Sequence, residues 1–379
     1  MEVKFIYLIC LFCHINAIDV LYLNLYLIPK LHTYDTKEYM FTFSLLKGYG
    51  SVDISFGHSK LYIPKNDSNC NITDIDILHD DVYPNYNSYG KLAKGNFNIT
   101  GDNINIDLNY MLNENKYVSS YLVLSRGVIY NNKTIEKEYE LDFITQLIKK
   151  GVINKYYIYL PPFFYTDGTT LSDTYLEIGR FPPTFDIYEK MSSYTPLNDR
   201  YPKKWSVKLT HLLFGDINVA YIPSSNKRDI YADVVFTESF KQKANYIPYK
   251  YKEIFNSIFV DNYNCEVISD EYRCPIEILN KLKLYFVFNG YAHLISNNLL
   301  FHNETESKYN YTNFEFTDKI EYISLDSYIF GNYHKLFDGE NNTMRFVYPD
   351  DESYILDVGK LLGMKIEKAQ KRRYWILNI

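Results

Sequence analysis

Val52-Asp53-Ile54-Ser55-Phe56-Gly57-His58-Ser59-Lys60-Leu61-Tyr62-Ile63-Pro64 runs from an alternating, β-branched start through a glycine to an apolar close. Its first part returns 180 residues later as Asp233-Val234-Val235-Phe236-Thr237-Glu238-Ser239, with Asp, Phe and Ser at the same three offsets. Each copy reads as a strand running into a turn. A repeat of this length directs attention to folds built from two similar halves.

Outward from these copies, short runs of β-branched and aromatic residues recur, among them Tyr39 to Phe43, Ile104 to Ile106, Tyr156 to Leu160 and Leu284 to Phe288. Turn residues separate such runs at intervals of about ten, the pattern of a mostly-β fold. Helical periodicity is confined to Leu141–Lys150, with Leu141, Ile144, Leu147 and Ile148 on one face, and to Tyr249–Phe259, with Tyr251, Ile254, Phe255, Ile258 and Phe259 on one face. With 379 residues, 46% of them hydrophobic, the chain can bury a large core in one or two domains. Forty Lys and Arg against 46 Asp and Glu give a net charge of -6, which excludes a partner held through phosphate backbones. The 40 Tyr and 24 Phe suit half-buried pleated surfaces.

Several segments, in order and spacing, resemble the pepsin-like aspartic proteases, the bilobal family that includes the parasite plasmepsins. Val52 to Pro64 is similar to the family's first catalytic loop, and Ser88-Tyr89-Gly90 with Gly95 and Gly101 to Ile106 is similar to its flap hairpin and return strand. Ser120 to Arg126, Leu147 to Leu160, Tyr175 to Gly179, Trp205 to Leu209, Tyr322 to Phe330 and Tyr354 to Val358 resemble later family segments. The resemblance implies a mostly-β, bilobal pepsin-like fold with a few short helices: an N-terminal lobe over 18–185 and a C-terminal lobe over 186–379. Residues 291–321 have no family counterpart and read as an inserted loop. The short stretch from Ile18 to Tyr39 leaves no room for the family's basic prosegment.

The chemistry departs from the family. Aspartic proteolysis needs two carboxylates sharing one proton, one acting as base on a water and the other as acid toward the carbonyl. Carried over by position, the first Asp-Thr-Gly falls on Ser55-Phe56-Gly57 and the second on Val235-Phe236-Thr237. Both acids are lost, Phe replaces both hydroxyls that would lock the loops, and one glycine survives. The resemblance therefore implies an inactive homologue with no catalytic residues and a cleft floored by Phe56 and Phe236. A rival reading keeps activity through Asp53 and Asp233, two residues upstream on the same strand face as Ser55 and Val235, although neither is followed by Thr/Ser and Gly. Tyr89 is either a flap-like cap or one more surface tyrosine. His58 and Ser59 are adjacent and, on a strand, point to opposite faces.

The destination is the secretory pathway. Lys4, the apolar run Phe5 to Cys13 and the small-residue site Ile15-Asn16-Ala17 read as a signal peptide over 1–17. Seven Asn-x-Ser/Thr sequons, at Asn66, Asn71, Asn98, Asn132, Asn303, Asn310 and Asn341, are possible glycosylation sites. Cys265 and Cys274 bracket eight residues and read as a local disulfide, while Cys70 is either a free thiol or an intermolecular link. No zinc spacing, cofactor motif or transmembrane run is present in the sequence. These readings lead to a secreted or peripheral cell-surface pseudoenzyme that binds a protein partner. The rivals are a divergent active protease and an unrelated secreted β-rich surface glycoprotein.

Overall fold

The computed structural model describes residues 20–31, 37–43, 52–55, 62–64, 71–78, 89–99, 104–113, 121–124, 141–162, 174–189, 192–201, 204–215, 218–221, 231–237, 245–278, 281–303, 309–348 and 352–361. In the first half the strands are β1 (Leu21–Leu31), β2 (Lys37–Phe43), β3 (Val52–Ser55), β4 (Tyr62–Pro64), β5 (Asn71–Leu78), β6 (Tyr89–Ile99), β7 (Ile104–Asn113), β8 (Tyr121–Val123), β9 (Tyr157–Leu160) and β10 (Thr174–Ile178). The second half supplies β11 (Ser192–Pro196), β12 (Ser206–Phe214), β13 (Asn218–Tyr221), β14 (Ala232–Thr237), β15 (Asn245–Pro248), β16 (Glu266–Ile268), β17 (Glu271–Pro275), β18 (Leu284–Phe288) and β19 (Tyr291–Ile295). It continues with β20 (Phe301–Asn303), β21 (Tyr309–Thr312), β22 (Phe314–Thr317), β23 (Ile323–Asp326), β24 (His334–Asp338), β25 (Thr343–Val347) and β26 (Ile355–Asp357). Among the described residues helices are few and short, as the periodicity requires: Phe143–Lys149 and Lys252–Phe259 are the longest there, each within its expected segment.

The short repeat in the sequence is a repeat of topology. In the first half β2 pairs antiparallel with β3, β3 parallel with β8, β8 antiparallel with β4, and β4 parallel with β7. In the second half β12, β14, β23, β15 and β22 pair in the same order and with the same alternation of directions. The two quoted stretches, on β3 and β14, hold the same place in each five-strand set. The first set lies in a thirteen-stranded sheet and the second in a nine-stranded one.

The two halves share strands. β9, β10 and the first five residues of β1 continue antiparallel into β24, β25 and β11, so a six-stranded section is built from both ends of the chain. The boundary expected at 185 falls inside the helix Thr184–Ile187, just before β11 crosses over. Trp205 pins this section. It is fully buried, and its indole N–H donates to the Leu124 carbonyl of the first half at 2.6 Å. Its ring packs on Tyr156 of the first half and Phe337 of the second.

Two expectations are corrected. The stretch before Tyr39 holds β1, which pairs with both β10 and β2, so the sheet begins at Leu21. The described residues between 291 and 321 form strands and a short helix rather than a loop. β19 is a central strand whose Ala292 and His293 are fully buried, reached by the Asn289-Gly290 turn with φ 46° and 80°, the Asn-Gly pair that a two-residue hairpin favours. β22 completes the second five-strand set, and only β20 and β21 leave the main sheets, to join β16 and β17. Cys265 and Cys274 form the expected disulfide at the base of the β16–β17 hairpin.

Trp205→Phe removes the indole donor, leaves the Leu124 carbonyl buried without it and opens a void. It should lower unfolding free energy by about 2–4 kcal/mol in denaturant titration, with an unchanged m-value.

Candidate functional site

The positions carried over from a catalytic pair lie at the ends of β3 and β14. In β3, Asp53, Ile54 and Ser55 stand opposite Tyr121, Leu122 and Val123; in β14, Val235, Phe236 and Thr237 stand opposite Ser324, Leu325 and Asp326. Phe56 and Gly57 lie outside the described residues. β3 and β14 belong to different sheets and do not pair, so no strand register brings Asp53 and Asp233 together.

Phe236 is not the floor of a cleft. It is fully buried, with its ring 5.9 Å from Phe330, 6.1 Å from Phe346 and 6.4 Å from Phe288, and its N–H donates to the Trp205 carbonyl. Val234 and Val235 are fully buried as well. β14 is covered on both faces, as a strand flanked by paired neighbours in a core should be. A hydroxyl at Phe236 would need a hydrogen-bond partner in an aromatic cluster; a phenyl ring fills the cluster instead.

Asp233 is committed elsewhere. The Asn198 side-chain amide donates to its Oδ1 at 2.5 Å and the Arg200 guanidinium to its Oδ2 at 2.8 Å, while Arg200 also reaches Glu321 at 3.1 Å. Both carboxylate oxygens are thus held by donors from the segment between β11 and β12. Such a clamp occupies both oxygens and anchors that segment, whereas a general base must have an oxygen free to reach a substrate proton. Asp53, Tyr89 and Thr237 lie on described strands, Tyr89 opening β6 opposite Leu78.

Three polar groupings are formed by distant residues that sequence spacing does not join. Asp326, opposite Thr237, is buried; its N–H donates to Asn245 Oδ1, and Lys335 is buried nearby with its ammonium donating to the Phe330 carbonyl. Burial pushes the Lys335 amine well below its ordinary range, with the Asp326 charge opposing that shift. Ser193 Oγ lies 2.6 Å from His293 Nε2, and His293 Nδ1 faces the Phe286 carbonyl at 3.3 Å. A carbonyl only accepts, so Nδ1 carries the hydrogen and Nε2 accepts from the serine. Both residues are buried, and Phe288, Phe330, Tyr333 and Phe346 ring the imidazole, so this serine and histidine serve packing. Tyr159 Oη lies 2.6 Å from His334 Nδ1 where β9 meets β24.

Among the described residues, no group of three or more His, Cys, Asp or Glu could hold a metal, and no helix is long and apolar enough to cross a membrane. Of the sequon asparagines, Asn71 and Asn341 are exposed, whereas Asn310 is 1% exposed and in no position to carry a glycan in the folded chain. Asn98 and Asn303 lie on β6 and β20; Asn66, Asn132 and Cys70 lie outside the described residues.

Two outcomes follow. Asp233→Asn and Arg200→Met should each lower the melting temperature by several degrees, equivalent to about 1–3 kcal/mol, because each breaks the clamp on β14. Burial pushes His293 and His334 down to about 4, with the Lys335 charge adding to the shift at His334. The folded state therefore holds both rings neutral, while the unfolded chain takes up protons near the ordinary value of 6.5. Their stabilising contribution is complete above pH 6.5 and is lost as pH falls from 6.5 toward 4. Chemical denaturation across that window should show stability declining with acid, with a smaller slope in His334→Gln.

No protein-family model and no curated protein sequence matches the chain. Among solved structures, it is similar to conglutin gamma, a basic 7S globulin from lupine seeds, with a TM-score of 0.64 and 11% identity over 89% of this chain and 96% of that one. At that identity the likeness shows a shared fold.

Proposed function

We propose that this chain is a secreted, catalytically inactive protein of the bilobal pepsin-like kind, which works by binding a protein partner. The observation that carries the proposal is the second degenerate loop. Where a catalytic acid and its hydroxyl would stand, Val235 and Phe236 are buried in the core, and the remaining acid on that strand, Asp233, is clamped by Asn198 and Arg200. The repeated five-strand set and the section shared between the halves support the two-lobed reading. The likeness to a seed globulin over 89% of this chain supports the fold part of that reading.

Binding is supported by surface chemistry. Ile187, 71% exposed, with Tyr188 and Tyr194, puts large apolar side chains on the segment that passes from one half to the other. Apolar and tyrosine-rich surface of this sort suits protein interfaces. Residues 1–17 would direct the chain into the secretory pathway and be removed there.

The purified secreted protein, incubated with a broad peptide library from about pH 3 to 7, should show no cleavage above buffer. Turnover that a statine-type inhibitor blocks and that Asp53→Asn abolishes would overturn the proposal and establish the active-protease alternative.

A further inference from the structure

β5 closes one end of the thirteen-stranded sheet and, among the described residues, pairs with β6 alone, so its outer edge has no strand partner there. An open edge is a template for pairing with another chain, and folded proteins blunt such edges with bulges, charges or cover. Two of these devices protect the middle of β5. The pairing with β6 is irregular between Ile72 and Asp76, and the Lys91 ammonium donates to the Asp74 carbonyl at 3.4 Å. Neither reaches the first two residues, where Asn71 and Ile72 pair regularly with Lys94 and Ala93. There Asn71 is exposed and Ile72, at 51%, presents an apolar side chain to solvent.

We infer that Asn71 carries an N-linked glycan whose role is to cover this end of the β5 edge. The inference rests on the secretory reading, because the sequon Asn71-Ile72-Thr73 is used only by a chain entering that pathway. In the transfer, the Asn71 side-chain nitrogen bonds to the anomeric carbon of a lipid-pyrophosphate-linked oligosaccharide. The bond from that carbon to the pyrophosphate oxygen breaks, lipid pyrophosphate leaves, and the amide gives up one proton. The folded strand also sets the order of events. The Thr73 hydroxyl donates to the Leu92 carbonyl and accepts the Ile75 N–H, so the sequon is locked once β5 pairs with β6 and must be modified earlier. Asn310 is buried, and the exposed Asn341 folds its amide back onto Asp338 at 2.8 Å across the β24–β25 turn. Neither lies on the β5 edge.

The test expresses the full chain in glycosylating cells in two arms, one with its own residues 1–17 and one with a heterologous leader. Peptide-N-glycosidase in heavy-oxygen water marks each occupied asparagine by mass. In the heterologous arm Asn71 should be marked and Asn310 unmarked. Asn71→Gln should lose one glycan and sediment as oligomers several-fold more than the parent, and adding Ile72→Lys should restore the monomer. An unmarked Asn71 in that arm, or an Asn71→Gln protein as monodisperse as the parent, overturns the inference. Failure of the own-leader arm alone overturns the secretory reading and with it the natural glycan, whereas failure of the heterologous arm overturns the inference about the β5 edge itself.

Discussion

The hydrogen bond from the buried Trp205 indole to the Leu124 carbonyl is the point at which the two halves become one structure. Leu124 directly follows β8, the partner of β3, and the Trp205 carbonyl accepts from Phe236 on β14. One residue thus touches the second quoted stretch directly and the end of the strand that pairs with the first. Its ring meanwhile packs between Tyr156 beside β9 and Phe337 on β24, the two strands where the shared section changes ownership. A buried carbonyl without its donor costs more than the bond itself contributes, so the arrangement is specific as well as stabilising.

Around this point the aromatic excess acquires a structural meaning. Phe236, Phe288, Phe330 and Phe346 form one cluster, and Phe255, Phe259, Phe286 and Phe314 extend it toward the helix Lys252–Phe259. Edge-to-face and stacked contacts in such clusters add to simple area burial. Where a catalytic loop would keep a strained turn and a hydroxyl, this chain has strand and phenyl. Active sites commonly sacrifice stability for chemistry, whereas here the position is filled with core.

What could be read from the sequence was local. The alternation in β3, β9 and β18, the two amphipathic helices and the Cys265–Cys274 loop depend on near neighbours, and each lies where periodicity or spacing puts it. The repeat was visible as three offsets, although its substance, the order and direction of five strand pairings, is not a property of any one segment. β1 escapes the sequence pattern because Pro29 and Lys30 interrupt it. The stretch from 291 has no counterpart in the resemblance, while the Asn289-Gly290 turn just before it is a readable hairpin signal. The Asp233 clamp, the Asp326 and Lys335 grouping and the Ser193–His293 bond join residues brought close only by folding, so composition and spacing could not announce them.

The shared section also sets a timetable for synthesis. Leu160 on β9 waits for Lys335 on β24, and Tyr159 for His334, 175 residues further along the chain. At about 5–20 residues per second a ribosome needs roughly 10–35 s to deliver that partner. Throughout that interval the nascent first half carries β9 with one side unmatched, a substrate for chaperones. Completion of the fold is thus tied to arrival of the β24–β25 hairpin, and a chain truncated before it would keep the β9 edge without that partner.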